Sequence, residues 1–275
     1  MLSSSFPKVS VIVTTFNRPD ALHLVLSALA QQTQLPDEVI VADDGSTDET
    51  RRLIAQLQIQ LNYPLKHVWQ KDEGFQAAKI RNKAVLIAQY HYLIFLDGDC
   101  VPFPDFIENH RILAEPHWFI SGHRILLRKG FTQKILQEFL SIYQDSALRW
   151  VLHYFHRDSN RLLPLLRIGR LSHLRKLHSK RWQGAKSCNL GVWKEDFLKM
   201  NGFDESFIGW GYEDSDFVIR LIRSGTYRKS GKWAIPVIHL WHQQNDRQQE
   251  QINLNLLKQI TESQRIRAKI GLDSN

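Results

Sequence analysis

The chain has 275 residues, 43% hydrophobic and 23% charged, the composition of an ordinary globular protein, which excludes global disorder and fibrous repeats. Two cysteines, Cys100 and Cys188, are too few for a disulfide framework or a cysteine-based zinc site, and reduced cytosol is the expected compartment. The formal net charge of +8 is uneven: residues 157–181 carry eight Lys/Arg against one acid, Asp158. Such a patch on a nearly neutral body suits an anionic membrane surface or an acidic substrate as well as a nucleic acid. Neither aromatic–basic interleaving nor a recognition helix is present, so no nucleic-acid partner is expected. Residues 1–8 lack the apolar region of a secretory signal. The longest apolar run, 85–96, is broken by Gln89 and His91 and is too short to cross a bilayer.

Residues 9–15 are β-branched and read as a buried strand. A helix follows over 19–32, with Pro19 at a tolerated first-turn position. Residues 38–43 form a second strand, and Ser46 to Glu49 has the spacing of a capping box opening a helix to Gln60. A short strand at 65–69, a helix following Gly74 and running to about Gln89, and a strand at 91–96 continue the alternation. That pattern predicts an α/β fold with a mostly parallel sheet flanked by helices. Helices are then expected at 105–114 and 131–143, with a strand at 118–127 between them. Residues 157–181 read as a basic insertion. A strand at 185–193, a helix at 194–200, a helix ending near Arg223, a strand ending in 236–242 and a helix over 246–269 finish the chain. No linker or repeat divides it, and 1–275 reads as one domain with a two-part site.

In an open α/β sheet, ligands sit beyond the carboxyl ends of the strands. Three polar clusters fall there: Thr14-Thr15-Phe16-Asn17-Arg18, Asp43-Asp44-Gly45-Ser46 and Asp97-Gly98-Asp99. One such turn alone is ordinary strand punctuation. Three at equivalent positions mark a site. No Gly-rich phosphate loop follows any strand, which disfavours P-loop and dinucleotide chemistry.

Residues 9–18, 41–49 and 95–99 resemble the N-terminal motifs of family-two glycosyltransferases of the GT-A fold. The second half is similar to the C-terminal domain shared by β-1,4-galactosyltransferases and bacterial chondroitin-polymerase-type enzymes. That likeness rests on Asn189, Asn201-Gly202-Phe203-Asp204, Gly209-Trp210-Gly211-Tyr212-Glu213-Asp214 and His239-Leu240-Trp241-His242. The resemblance implies a nucleotide-sugar-binding half over 1–118 and an acceptor and catalytic half over 184–245. It implies metal-dependent, inverting transfer from a UDP-sugar to a glycan or lipid-linked acceptor in cell-surface polysaccharide synthesis. Diphosphate departure needs its charge neutralised, and Mn²⁺ or Mg²⁺ would do so. Asp99 is the expected ligand, with His239 or His242, while Asp97 faces the ribose or the metal's waters. Thr14, Phe16, Asn17, Arg18, Asp43 and Asp44 are expected to hold the nucleotide. Gln76 stands where the family often has Arg, leaving Lys79 or Arg81 as a substitute diphosphate contact. Asp214 matches the general base and Glu213 its acceptor-binding or positioning neighbour. Trp210, Tyr212 and Asn189 are the expected acceptor contacts. The protein is expected in the cytoplasm, peripheral to the inner face of an anionic membrane through 157–181 and Leu162, Leu163, Leu165, Leu166 and Leu171.

Overall fold

The computed structural model describes residues 6–162, 174–243 and 246–274. Its first half alternates β1 (Val9–Thr15), α1 (Pro19–Ala30), β2 (Glu38–Asp43), α2 (Asp48–Gln60), β3 (Leu65–Trp69), α3 (Ala77–Ile87) and β4 (Tyr92–Asp97). The four strands pair in parallel in the order β3-β2-β1-β4. Next come β5 (Cys100–Pro102), α4 (Phe106–Leu113), β6 (Trp118–Ser121), β7 (His123–Leu126), α5 (Lys129–Gln137) and α6 (Ala147–Phe155). After them follow β8 (Asn189–Trp193), α7 (Lys194–Lys199), α8 (Glu213–Arg223), β9 (Tyr227–Ser230), β10 (Pro236–His239) and α9 (Glu250–Glu262). The large sheet extends from β4 through β8, β6 and β9, and β8 runs antiparallel to both its neighbours. A small sheet, β5-β10-β7, stands beside it.

Both faces of the large sheet are covered, which explains why β1 carries apolar residues on both sides from Val11 to Val13. Val9, Val11 and Val13 pack against α1 and α2, whereas Ile12 and Ile40 face a second core containing α3, α7 and α8. Period-two alternation sorts them.

Several expectations change at this level. The strand read over 118–127 is two strands in different sheets, parted at Gly122. A Cβ there would stand 2.2 Å from Asn189 Nδ2, so only glycine lets the chain cross β8 so closely. The capping box does not form. The helix starts at Asp48, and Ser46 Oγ accepts the Asn17 N–H at 2.8 Å while Asn17 Oδ1 accepts the Thr47 N–H at 2.9 Å. Those bonds tie the loops after β1 and β2 together. The helix read over 131–143 ends at Gln137, because Phe139 takes a left-handed φ of 51°. Helix α6 had no counterpart in the sequence reading. The strand read from 185 begins at Asn189, and the terminal helix is confined to Glu250–Glu262.

Of the basic insertion, residues 163–173, with Leu163, Leu165, Leu166 and Leu171, lie outside the described residues. Two of its charges are engaged within the fold rather than offered to a surface. Arg175 donates to the Ser230 and Lys232 carbonyls at 2.8 Å each, and Lys176 pairs with Glu115 at 2.6 Å. Among the described residues, no helix is long and apolar enough to cross a membrane.

Candidate active site

The carboxyl ends of β1, β2 and β4, with the end of β10 beside them, open into a cleft of about 570 Å³ that the start of α8 also lines. A hollow of about 670 Å³ near β9, lined by Arg161, Arg175, Arg181, Arg228 and Lys232, has no carboxylate in its lining among the described residues. None of the expected site residues lines it. The chemistry belongs to the first cleft.

The nucleotide side is built by the ends of β1 and β2. Thr14, Phe16, Asn17, Arg18 and Asp44 all line it. Asp44 is raised in pKa by burial, although it accepts from Gln76 N at 2.8 Å and Gln70 Nε2 at 2.6 Å. Asp43 does not reach the cleft. Fully buried, it accepts the Ser46 N–H at 2.8 Å and meets His67 Nε2 at 3.0 Å, so its role is to hold the loop. Its side chain is the inward-pointing half of the strand's alternation, with Asp44 on the other side.

The Asp97-Gly98-Asp99 turn follows β4. Gly98 N donates to Thr14 O at 2.7 Å, and a Cβ on Gly98 would sit 3.0 Å from that oxygen. Asp99 Oδ2 lies 3.3 Å from His242 Nε2 and its Oδ1 lies 3.8 Å from His239 Nε2. The imidazole centroids are 5.3 Å apart. β10 sets this geometry by pairing His239 with Cys100, the residue after Asp99. Burial lowers the pKa of His239 and keeps its ring neutral, the form that ligates metal. One carboxylate and two imidazoles are a donor set suited to Mn²⁺, so the residues fit the expected cation.

Opposite stands the start of α8. Tyr212 precedes the helix at φ 73°, a left-handed conformation that turns Glu213 and Asp214 into the first turn. There the free N–H groups favour negative charge. The helix is pinned from below by the fully buried Arg220–Asp216 pair at 2.7 Å, and Arg220 also donates to the Met200 and Gly202 carbonyls. Asp214 Oδ1 is buried and has no hydrogen-bond partner among the described residues. Glu213 is pushed up to about 7 by burial and by Asp214 beside it.

Arg81 joins the two walls. Its Nε donates to Thr14 Oγ1 at 3.1 Å, Nη2 to Asp97 at 3.2 Å and Nη1 to Glu213 at 3.3 Å, with Asp214 at 4.0 Å. Burial opposes its charge, but the surrounding acids outweigh that effect and raise its pKa. Asp97 is nonetheless pushed up to about 6 by burial and by Asp99. Three hydrogen bonds inside the protein make Arg81 a buried counter-ion for carboxylates rather than a spare diphosphate contact. Lys79 lies off the cleft, 3.9 Å from Glu73.

Trp210 and Tyr212 line the cleft. Arg247 lies over the Trp210 ring at 4.5 Å, and Tyr212 also packs on the small cluster around Phe207 and Ile219. Asn189 is not an acceptor contact. It is buried under Gly122, and its Nδ2 donates to Ile235 O at 2.6 Å, which ties β8 to the approach of β10. Sequence reasoning missed two cleft cations, Arg124 on β7 and Lys186 before β8. Arg124 is close enough to Asp97 and Asp99 to interact with both charges. An arginine within a strand just ahead of the apolar run Ile125-Leu126-Leu127 was the available signal.

The chain matches the model described as glycosyl transferase family 2 over residues 10–165, and the model described as N-terminal domain of galactosyltransferase over residues 171–235. It is 30% identical, over 92% of its length and 26% of the relative's, to a hyaluronan synthase of Pasteurella multocida. A chondroitin synthase of Escherichia coli is 27% identical over 82% of this chain and 34% of its own. The chain thus spans about a quarter to a third of these relatives. Among solved structures, the mannosyltransferase PcManGT of Pyrobaculum calidifontis, in complex with GDP-Man and Mn²⁺, is similar in fold. Its TM-score is 0.59 at 19% identity, with 87% of this chain and 59% of that one covered. Three strand-end clusters, an α/β sheet and a family match over more than half the sequence agree: the chain belongs to glycosyl transferase family 2, with the GT-A fold.

Proposed function

We propose that this protein is a glycosyltransferase that moves a sugar from a UDP-sugar to a hydroxyl of a glycan or lipid-linked acceptor, with inversion and with a divalent cation, in polysaccharide synthesis. One observation carries the reading: Asp99, His239 and His242 converge on one wall of the cleft that has Glu213 and Asp214 on the other. Asp99 and the two histidines would hold Mn²⁺ or Mg²⁺, which supplies Lewis-acid neutralisation of the departing diphosphate. Arg124 and Lys186 add positive charge to the same region. Thr14, Phe16, Asn17, Arg18 and Asp44 hold the nucleotide, Asp44 as acceptor for the base's N–H. Uracil is assigned from the family resemblance. The relative's GDP-Man complex makes a UDP-versus-GDP comparison part of the test.

Asp214 is assigned as the base. Its unpartnered Oδ1 takes the proton of the acceptor hydroxyl as that oxygen bonds to the anomeric carbon. The bond from that carbon to the diphosphate breaks on the opposite face, and UDP leaves. Inversion follows from that geometry. Glu213, held by Arg81, positions Asp214, and Trp210 offers a ring for the acceptor sugar to stack on. Calorimetric titration of UDP with Mn²⁺ tests the metal wall. Asp99→Ala is expected to abolish metal-dependent binding, and unchanged affinity removes Asp99 from the site. In the same titration, His239→Ala and His242→Ala separate ligand from bystander.

A further inference from the structure

Helix α6 is amphipathic, and among the described residues its apolar stripe is largely exposed. Trp150 is 3% exposed and packs on Phe103 at 5.5 Å, and His153 stacks on Phe131 of α5 at 4.6 Å, so one side of the helix is anchored. Leu148, Leu152 and Phe155 are exposed by 70%, 49% and 69%. Their spacing of four and then three residues places them in one row along the other side. A row of three large apolar side chains facing water marks a contact surface.

The occupant is indicated by charge and size. Arg149 follows Leu148 on the helix and is exposed, and Arg128, Lys129, Arg157 and Arg161 are exposed around its C-terminal end. Arg128 reaches the His156 carbonyl there, at 3.5 Å. The acids of this stretch are fewer. Asp145 and Asp158 point to His153 at 3.0 and 3.6 Å, Asp145 also pairing with Arg149, and Glu138 is exposed. A single row of three residues falls far short of the roughly 1,200 Å² that a stable protein interface buries. Shallow insertion needs no such area, because an amphipathic helix lies in the headgroup region with its basic residues at the phosphates.

We propose that α6 docks the protein on an anionic phospholipid surface, with Leu148, Leu152 and Phe155 inserted and Arg128, Arg149 and Arg157 against the headgroups. The contact surface lies N-terminal to most of the 157–181 segment that the charge pattern pointed to. Helix α5, on which α6 rests, carries Thr132, Gln133 and Leu136 of the cleft wall, so docking brings that wall to the membrane. The proposal stands apart from the transfer chemistry and is tested without it.

Flotation of the full chain is compared with vesicles of phosphatidylcholine alone and of phosphatidylcholine mixed with phosphatidylglycerol, at low and high salt. The wild type is expected to float with the anionic vesicles at low salt, and only weakly with neutral ones. The variant Leu148→Ser/Leu152→Ser/Phe155→Ser removes exposed side chains only. It should lose at least about tenfold in partitioning with an unchanged circular-dichroism melt. Arg157→Glu, which leaves the Asp145–Arg149 pair intact, should weaken low-salt binding while also leaving the melt unchanged. A wild type that does not float, or a triple variant that floats equally well, overturns the proposal. So does light scattering that finds a wild-type dimer dispersed by the triple variant, which would make the row a self-contact.

Discussion

The two walls of the cleft achieve similar ends by different means. On the β4 side, Asp97 and Asp99 are fixed by backbone: a parallel strand, a glycine turn and a bond from Gly98 to Thr14 O. On the α8 side, Glu213 and Asp214 are fixed by a helix start, a left-handed Tyr212 and the buried Arg220–Asp216 pair underneath. The first wall is rigid because its atoms are short of room. The second is held by charge, and Arg81 joins the two through Asp97 and Glu213. The charge-held wall is therefore the one that single side-chain changes should move most.

The largest expected effect is on rate. Asp214→Asn keeps size and much of the hydrogen bonding, so transfer should fall by about 10²–10⁴-fold while UDP affinity barely changes. If rate and affinity fall together, the role of Asp214 is positional. If Glu213→Gln costs far more than Asp214→Asn, the two acids exchange roles.

Arg81→Ala comes next, and it asks whether charge holds the α8 wall. Removing a buried guanidinium from between carboxylates costs about 3–5 kcal/mol, readable in urea unfolding. Arg81→Lys keeps the charge without the three-way bonding and should recover only part. A loss below 1 kcal/mol, on the order of a surface substitution, would show that backbone alone holds both walls.

Glu213 adds a pH dependence. Its pKa is raised from 4.5 to about 7 in the fold, so between those values the folded state holds a proton that the unfolded chain has released. Its stabilising contribution is complete below pH 4.5 and is lost as pH rises through about 7. Glu213→Gln should flatten that part of the stability profile in denaturant melts at stepped pH. An unchanged slope would assign the dependence to other groups.

The smallest effect probes the rigid wall. Gly98→Ala places a methyl group 3.0 Å from Thr14 O, and overpacking of this kind costs about 1–3 kcal/mol. Thermal melting should register that loss. A neutral result would mean the turn has slack.

The legibility of the sequence follows the same division. β1 to β4 and their helices repeat one strong local pattern, so 9–15, 38–43 and 65–69 coincide with the strands and the acids at their ends fall in place. Asp43 misled because alternation turns one of two adjacent acids inward, and a lone pair of letters does not say which. Asn189 misled because a motif residue can serve packing: its partner, Ile235, is 46 residues away. The break at Gly122 depends on that same distant side chain. Arg81 read as a substitute diphosphate contact, and its tie between the walls went unseen because its three acceptors lie on β1, β4 and α8. Helix α6 was legible in the four-then-three spacing of Leu148, Leu152 and Phe155, and the sequence reading passed over it.

The small sheet sets a time order for assembly. Asp99 leaves β4 early in the chain, and His239 reaches it only through the antiparallel pairing of β10 with β5, some 140 residues later. Contacts of such separation form late, because a long loop must close before they add any stability. A one-residue slip of β10 would point Ile238 at Asp99 and turn His239 away, with no change in composition. Refolding should therefore recover the parallel sheet and its helices well before it recovers the Asp99–His239 pair. The interval between the two would measure how long the protein is folded in most respects but still lacks its reaction centre.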